Sequence, residues 1–421
     1  MTTYDPKLLD KYAELAIKVG VNIQENQRLI IGSFSLPTTG VALELYPLVR
    51  ALTKHAYLAG AKFVNVLWED PQLTLIRLDY GKPNSLDEYP DWRVQTAIEY
   101  MEAGDATLSI YAQDPDLLAG QDSAALEKLL RAAVEKTAPA AALSRSNVVN
   151  WSIIGGAIEP WAKKVFPDLA PKEAEGRLWE VIFDICRIEA DDPVAVWRQH
   201  MSQLTAMADY LNAKQYRALH YKAPGTDLTV GLPFRHVWIT ANLTARNGIE
   251  AVVNIPSEEV FTMAHRDEVN GTVRATKPLS HNGQLIDGFA FTFKNGRVVE
   301  ATAEIGQEAL DSMLEIDSGA RYLGEVALVP NSSPISKSGL LFYNTLFDEN
   351  ASSHLALGNA YKFSIQDGSD MDDETFAASG GNKSKVHVDF MIGSNQMNVD
   401  GLTEDGRAEP VMRAGEWAFD V

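Results

Sequence analysis

Apolar positions recur along this chain with two different periods, and the change of period divides it. Over residues 7–20, Leu8, Leu9, Tyr12, Leu15, Ala16 and Val19 fall on one side of a helix. Arg28 to Gly32 then reads as a short apolar strand, residues 45–58 as a helix with Pro47 in its first turn, and Phe63 to Trp68 as a strand. A strand over Ala106 to Tyr111, a helix over residues 124–136 and a strand over 148–154 continue the alternation. Strands that alternate with helices predict a parallel or mixed α/β layer. Neither G-x-G-x-x-G nor G-x-x-x-x-G-K-[ST] occurs there, so the layer carries no phosphate loop. Asp192-Pro193 opens a long helix, with a side-chain oxygen at the cap and proline in the first turn. Trp197, Met201, Leu204, Met207 and Leu211 give that helix an apolar stripe.

Beyond residue 214 the period shortens to two. Strands are predicted over 216–222, 226–230, 236–240, 271–275, 288–294 and 297–301, with Asn282-Gly283 and Asn295-Gly296 as turns. The reading is an α/β domain over residues 1–205 and an α+β, β-rich domain over 206–421. A length of 421 residues fits two domains.

Composition narrows the function classes. A net charge of −20 repels phosphate backbones, so neither nucleic acid nor an anionic membrane is an expected partner. Cys186 is the sole cysteine and lies in an apolar run, which predicts a buried, inert thiol and excludes an internal disulfide or a thiolate zinc cage. No run is apolar enough to span a bilayer, and residues 1–7 lack a signal-peptide pattern, so a cytoplasmic protein is expected.

The candidate chemistry gathers in the second half, where six of the eight histidines follow residue 211. In the run from Lys385 to Gly393, apolar Val386, Val388, Phe390 and Ile392 alternate with other residues, which puts His387 and Asp389 on the same side of a strand. Glu325 stands inside the apolar run Leu323 to Val329; its bland explanation is an ion pair with Arg321. His354 sits among small and apolar residues, where a hydrogen-bonded core histidine is the bland reading. Glu258 and Glu259 are adjacent in an extended apolar run and would face opposite sides of a regular strand. Together Glu259, Glu325, His354, His387 and Asp389 form a mixed oxygen and nitrogen donor set suited to zinc, cobalt or manganese. It exceeds what one tetrahedral zinc needs, and one carboxylate bridging two ions would use the excess. H-E-x-x-H and G-x-S-x-G are absent. The acidic run from Asp367 to Glu374 lacks the spacing of a calcium loop and reads as solvated.

The runs Ile255-Pro256-Ser257-Glu258-Glu259-Val260-Phe261-Thr262, Leu323 to Val329, Asn350 to Gly358 and Lys385 to Ser394 resemble the signature blocks of the thermophilic aminopeptidase family, in order and spacing. The resemblance implies a C-terminal domain that holds two divalent ions (zinc, cobalt, manganese or magnesium), a homodimer, and peptide substrates with a free N-terminus. It carries ligand roles onto Glu259, Glu325, His354, His387 and Asp389, and a catalytic role onto Tyr361. Small departures stand at Ser257, Ser353 and the run Met263-Ala264-His265, none of them at a ligand; His265 reads as a loop or surface residue. In the implied hydrolysis Tyr361 is a hydrogen-bond donor to the oxyanion, since a phenol titrates near about 10, with a general-base role as the alternative if a nearby ion depresses its pKa. Glu258 is a candidate proton shuttle or binder of the substrate ammonium. The alternatives are another two-metal hydrolase of phosphoesterase type and a non-catalytic, metal-stabilised binding protein.

Overall fold

The structure is a computed structural model and describes residues 3–32, 40–281 and 284–421. The Asn282-Gly283 turn lies outside the described residues. The chain forms two compact units, residues 1–199 with 241–256, and residues 200–240 with 257–421.

The first unit is built on a five-stranded parallel sheet in the order Asn254–Ile255, Trp151–Gly155, Ala106–Tyr111, Arg28–Gly32, Phe63–Val66. Leu29, Ile30 and Ile31 are fully buried in the interior strand Arg28–Gly32, as an apolar strand covered on both faces requires. Helix Pro6–Leu15 starts where Asp5 Oδ1 accepts from Lys7 N–H and proline occupies the first turn. It buries Tyr12 against Trp179 and Phe183, with ring centroids 6.4 and 6.1 Å away. The Tyr12 hydroxyl donates to the Gly155 carbonyl at 3.0 Å, tying the helix to the sheet.

Several elements depart from the expected ones. Helix Ser123–Arg145 runs well past residue 136 and contains Pro139. Alanine-rich sequence on both sides continues the helix through the one backbone donor that proline removes. Residues 241–256 follow the expected boundary at 205 yet belong to the first unit. There Asn242–Thr244 and Glu250–Val252 form a hairpin, and Asn254–Ile255 extends the parallel sheet beside Ile153 and Ile154. Residues 236–240 form isolated bridges from His236 to Ile365 and from Ile239 to Phe261 rather than a strand. The Asn212 side chain takes both backbone groups of Trp238 that a strand ladder would have used.

In the second unit, helix Pro193–Lys214 leads from the first unit into two large antiparallel sheets and a two-stranded one of Leu279–His281 and Gln284–Ile286. The larger has eight strands in the order Arg297–Thr302, Ala290–Lys294, Val269–Arg274, Thr226–Gly231, Ala218–Ala223, Asn398–Leu402, Ala408–Arg413, Glu416–Trp417. The smaller has four, in the order Val260–Thr262, Leu323–Leu328, His354–Gly358, His387–Met391. Phe390 on the small sheet meets Phe291 on the large one edge to face, with centroids 5.2 Å apart. Asn295 and Gly296 adopt φ of 48° and 79° in the tight turn between two strands of the large sheet. The acidic run is a surface segment in which Asp372 caps helix Asp373–Ala378 and Asp373 pairs with Lys362 and Lys383. Cys186 is buried. Among the described residues no helix is long and apolar enough to cross a membrane.

Tyr12 tests the packing of the first unit. Tyr12→Phe is expected to cost about 1 kcal/mol through the lost hydrogen bond, and Tyr12→Ala about 3–5 kcal/mol through the cavity. Urea unfolding followed by tryptophan fluorescence checks both.

Candidate metal centre

Strand parity builds the site. In the small sheet Glu325 stands opposite Ala356, and Ala356 opposite Asp389. His354 lies two residues from Ala356, and His387 faces Gly358, so all four chemical side chains share one face. The opposite face carries the row Val326, Leu355 and Phe390, which is buried. The register shifts between Leu323 and Glu325, so the extra residue there is Gly324. That shift puts Leu323 opposite Leu357 and sends Glu325 to the polar face. A Cβ at Gly324 would sit 2.4 Å from the Asn359 carbonyl oxygen, so glycine is required. Gly358 has φ of +104°, and a Cβ there would sit 2.1 Å from the Val386 carbonyl oxygen. Between Glu325 and Asp389 the sheet therefore presents only the Ala356 methyl.

Glu259 joins from the segment that enters Val260–Thr262. Ser257, Glu258 and Glu259 are not in a strand, so the two glutamates escape strict alternation and both are buried. His354 Nε2 is 3.2 Å from Glu259 Oε2 and 3.7 Å from Glu325 Oε1. His387 Nε2 is 3.8 Å from Glu325 Oε2 and 3.3 Å from Asp389 Oδ1. The two oxygens of Glu325 thus face the two imidazoles separately. The result is two triads, Glu259–Glu325–His354 and Glu325–His387–Asp389, each with donor atoms within 4.8 Å of one another. Glu325 belongs to both. Its expected alternative partner, Arg321, does not pair with it; the ion pairs of Glu325 are to the two histidines.

The donor set fits divalent cations. Atoms held about 2.1 Å from a tetrahedral ion stand about 3.4 Å apart, and the separations above bracket that value. Each imidazole has its Nδ1 engaged by a backbone carbonyl, Ser352 at 3.2 Å for His354 and Asn359 at 2.8 Å for His387. That fixes Nε2 as the atom aimed into the cluster. Asp389 Oδ1 is buried and has no hydrogen bond of good geometry, despite its approach to His387. Among the described residues no lysine or arginine pairs with Glu259, Glu325 or Asp389.

The carboxylates and imidazoles of the cluster shift one another. Burial would lower both imidazoles, but Glu259 and Glu325 hold His354 well above the usual histidine range. Asp389 and Glu325 likewise outweigh burial at His387 and push it up to about 10. Burial raises Glu325 above the ordinary carboxylate range, whereas His387 brings Asp389 below it despite burial. Tyr361 is half-buried and stacks on Phe363, and its ring centroid lies 4.9 Å from that of His387. Burial, then the carboxylates of Glu325 and Asp389, push its phenol well above 10.

Glu258 lies beside this cluster in sequence but outside both triads. Its N–H donates to Asn350 Oδ1 at 2.7 Å, and its Oε2 is 3.6 Å from His200 Nε2. One acidic residue escaped the sequence reading. Burial pushes the Glu349 carboxyl well up, and the charges of Glu259 and Asp389 add to that. The available signal was its place in Asp348-Glu349-Asn350, immediately before the segment that carries His354. His265 is a half-buried loop residue whose Nδ1 accepts from Asp267 N–H at 3.3 Å.

The profile of the thermophilic metalloprotease (M29) family matches residues 5–417. Aminopeptidase 2 of Geobacillus stearothermophilus is 50% identical over 419 residues, covering 99% of this chain and 98% of the relative. Aminopeptidase AmpS of Bacillus subtilis is 44% identical over the full length of both chains. The solved structure of wild-type AmpT from Thermus thermophilus is 41% identical and superposes with a TM-score of 0.91 over 98% of this chain and 99% of that one. The chain belongs to the thermophilic metalloprotease (M29) family.

Proposed function

We propose that this protein is a metal-dependent aminopeptidase that releases N-terminal residues from peptides by two-metal-assisted hydrolysis. The observation that carries the reading is Glu325, whose two oxygens face two separate imidazoles, each paired with a further carboxylate. Glu259, Glu325 and His354 would hold one ion and Glu325, His387 and Asp389 a second, with zinc, cobalt, manganese and magnesium as the candidates. The names of the relatives, all aminopeptidases, support an N-terminal rather than an internal cleavage.

Bound divalent ions supply Lewis acidity, acidifying the attacking water and polarising the scissile carbonyl. The protein supplies the rest. His354 and His387 are locked in orientation by the carbonyls on Nδ1, so no reorganisation is needed at the moment of reaction. Tyr361 keeps its proton near neutral pH and donates the O–H to the oxygen on which negative charge develops. A cation in the cluster offsets the carboxylate part of its upward shift but leaves the burial part. Glu258 takes the proton from the attacking water and delivers it to the leaving amine, while the new C–O bond forms and the C–N bond breaks. We further place the protein in the cytoplasm as a homodimer. One buried cysteine suits a reducing compartment, and the family resemblance carries the dimer.

Turnover of Leu-p-nitroanilide, with none of N-acetyl-Leu-p-nitroanilide or p-nitrophenyl phosphate, is the expected pattern. A phosphoesterase would invert it, and a metal-stabilised binding protein would turn over none of the three. Tyr361→Phe should lower kcat about 100- to 1,000-fold with the metal content unchanged; an unaltered rate removes the donor role. Ions must displace the protons held on His354 and His387, so metal uptake at pH 7 should release protons and apparent affinity should rise with pH. Calorimetry of zinc binding to chelator-treated protein, in two buffers of different ionisation enthalpy, measures this directly. Ala356→Leu fills the space between Glu325 and Asp389; it should cost about 1–3 kcal/mol in stability and drop the metal content below that of the parent protein by elemental analysis.

A further inference from the structure

A hydroxyl that stabilises a transition state is effective only if its ring is held in one orientation. We propose that Phe363 is a positioning residue for the reaction: its ring fixes the plane of the Tyr361 ring and so aims the phenol. The inference rests on the donor role proposed for Tyr361.

The need for such a device arises at Tyr361 itself. Among the described residues no group hydrogen-bonds its hydroxyl. The O–H is therefore open to a substrate, but the ring has no tether at its tip. A phenol turns about two side-chain torsions, and the second has a broad, soft minimum. Contacts with other rings must set its orientation. Phe363 lies nearly parallel to Tyr361, with 8° between the planes and 5.1 Å between the centroids. Parallel rings this close overlap in an offset stack, since rings side by side in one plane would stand further apart. The His387 imidazole lies 4.9 Å away at a tilt of 47°. A tilted neighbour limits how far the phenol can swing, whereas a parallel one sets its plane.

The local backbone presents the two rings together. Ala360 and Ile365 are buried with Met263 and Phe376 in a small apolar cluster, with Met371 packed against it. Lys362 reaches the same side, where its Nζ donates to the Met371 carbonyl at 2.7 Å and lies 5.9 Å from the Phe376 ring. Tyr361 and Phe363 flank Lys362 and stack on each other instead. The chain beneath them is clamped. Ala360 N–H donates to the Asn382 carbonyl at 2.9 Å, and the Ser364 carbonyl accepts from Val237 N–H at 2.8 Å. Between these ties, Ser364 N–H closes the turn Lys362–Ser364 on the Tyr361 carbonyl at 3.1 Å. With the backbone fixed, the rotation of the Tyr361 ring is the freedom that remains, and a flat neighbour removes it. Phe363 has no polar side-chain atom, so a surface is all that it can offer.

A group misaimed in the transition state alone lowers kcat and leaves KM unchanged. Turnover of Leu-p-nitroanilide and metal content are measured on zinc-loaded parent protein, Phe363→Leu, Phe363→Tyr, Tyr361→Phe and the double variant Tyr361→Phe/Phe363→Leu. Leucine keeps the apolar bulk but has no flat face. Phe363→Leu should lower kcat about 10- to 100-fold, with KM and metal content as in the parent. Phe363→Tyr restores the flat ring and should recover most of that loss. In Tyr361→Phe no hydroxyl is left to aim, so adding Phe363→Leu should lower kcat no further. Single effects that multiply in the double variant overturn the proposal, as does an undiminished kcat in Phe363→Leu. A rise in KM alone also overturns it, by making Phe363 a substrate contact, and so does loss of an ion, by making it a support of the metal centre. A parental kcat in Tyr361→Phe would instead overturn the donor role on which the proposal stands.

Discussion

Mutual repulsion among buried carboxylates is the constraint on which this molecule depends. Glu259, Glu325 and Asp389 crowd one face of a four-stranded sheet, with Glu349 close by, and only two imidazoles oppose them. Carboxylates this close and this buried cannot all ionise without a compensating positive charge. Against burial, the carboxylates raise both His354 and His387 above the usual histidine range, so these imidazoles are the groups here that can carry it as protons. A divalent ion delivers twice the charge of a proton to the same atoms. The cluster is thus poor as a stabilising element and good as a cation trap.

The rest of the second unit can be understood as support for that unfavourable arrangement. The eight-stranded sheet provides a broad apolar surface, and Phe291 meets Phe390 on the back of the ligand strand. Backbone carbonyls of Ser352 and Asn359 orient the imidazoles. The segments that carry Glu258 and Asn350 are not in the sheet, and Asn350 ties the first of them to helix Thr345–Asp348. Rigid strands carry four of the five candidate ligands, while irregular segments carry Glu258 and Tyr361, the groups proposed to handle protons. That division is the usual one, since loops tolerate the unusual backbone that a binding site needs.

Much of this was legible in the sequence, wherever a local pattern dictated the outcome. The alternation from Val386 to Ile392 placed His387 and Asp389 on one face, and the Asp192-Pro193 signal marked the start of a long helix. What escaped has a non-local cause each time. Residues 236–240 have the composition of a strand, but the Asn212 side chain, distant in sequence, occupies the backbone of Trp238. Residues 241–256 return to the first unit because the edge of its parallel sheet accepts them, which no window of sequence encodes. Glu258 lies outside both triads although the chain is irregular, not a regular strand, from Ser257 to Glu259. Glu349 was passed over because nothing in its neighbours says that the chain turns there toward the carboxylate cluster.

The parity of the strands explains why such different demands coexist in so few residues. In His354-Leu355-Ala356-Leu357-Gly358, even positions lie on the face of the carboxylate and imidazole cluster and odd positions face the core. The even positions are a histidine, then the small Ala356 between Glu325 and Asp389, then Gly358, whose φ of +104° and closeness to the Val386 carbonyl exclude a side chain. The odd positions must be large and apolar to cover the phenylalanines behind. Perfect alternation would have put Leu323 on the same face as Glu325, a leucine pressed against the charged cluster. The single extra residue at Gly324 removes that conflict by re-phasing the strand, and it can do so only because glycine leaves the Asn359 carbonyl room to approach. The metal face and the packing face are therefore set by one register, and a one-residue slip in any of these strands would exchange them.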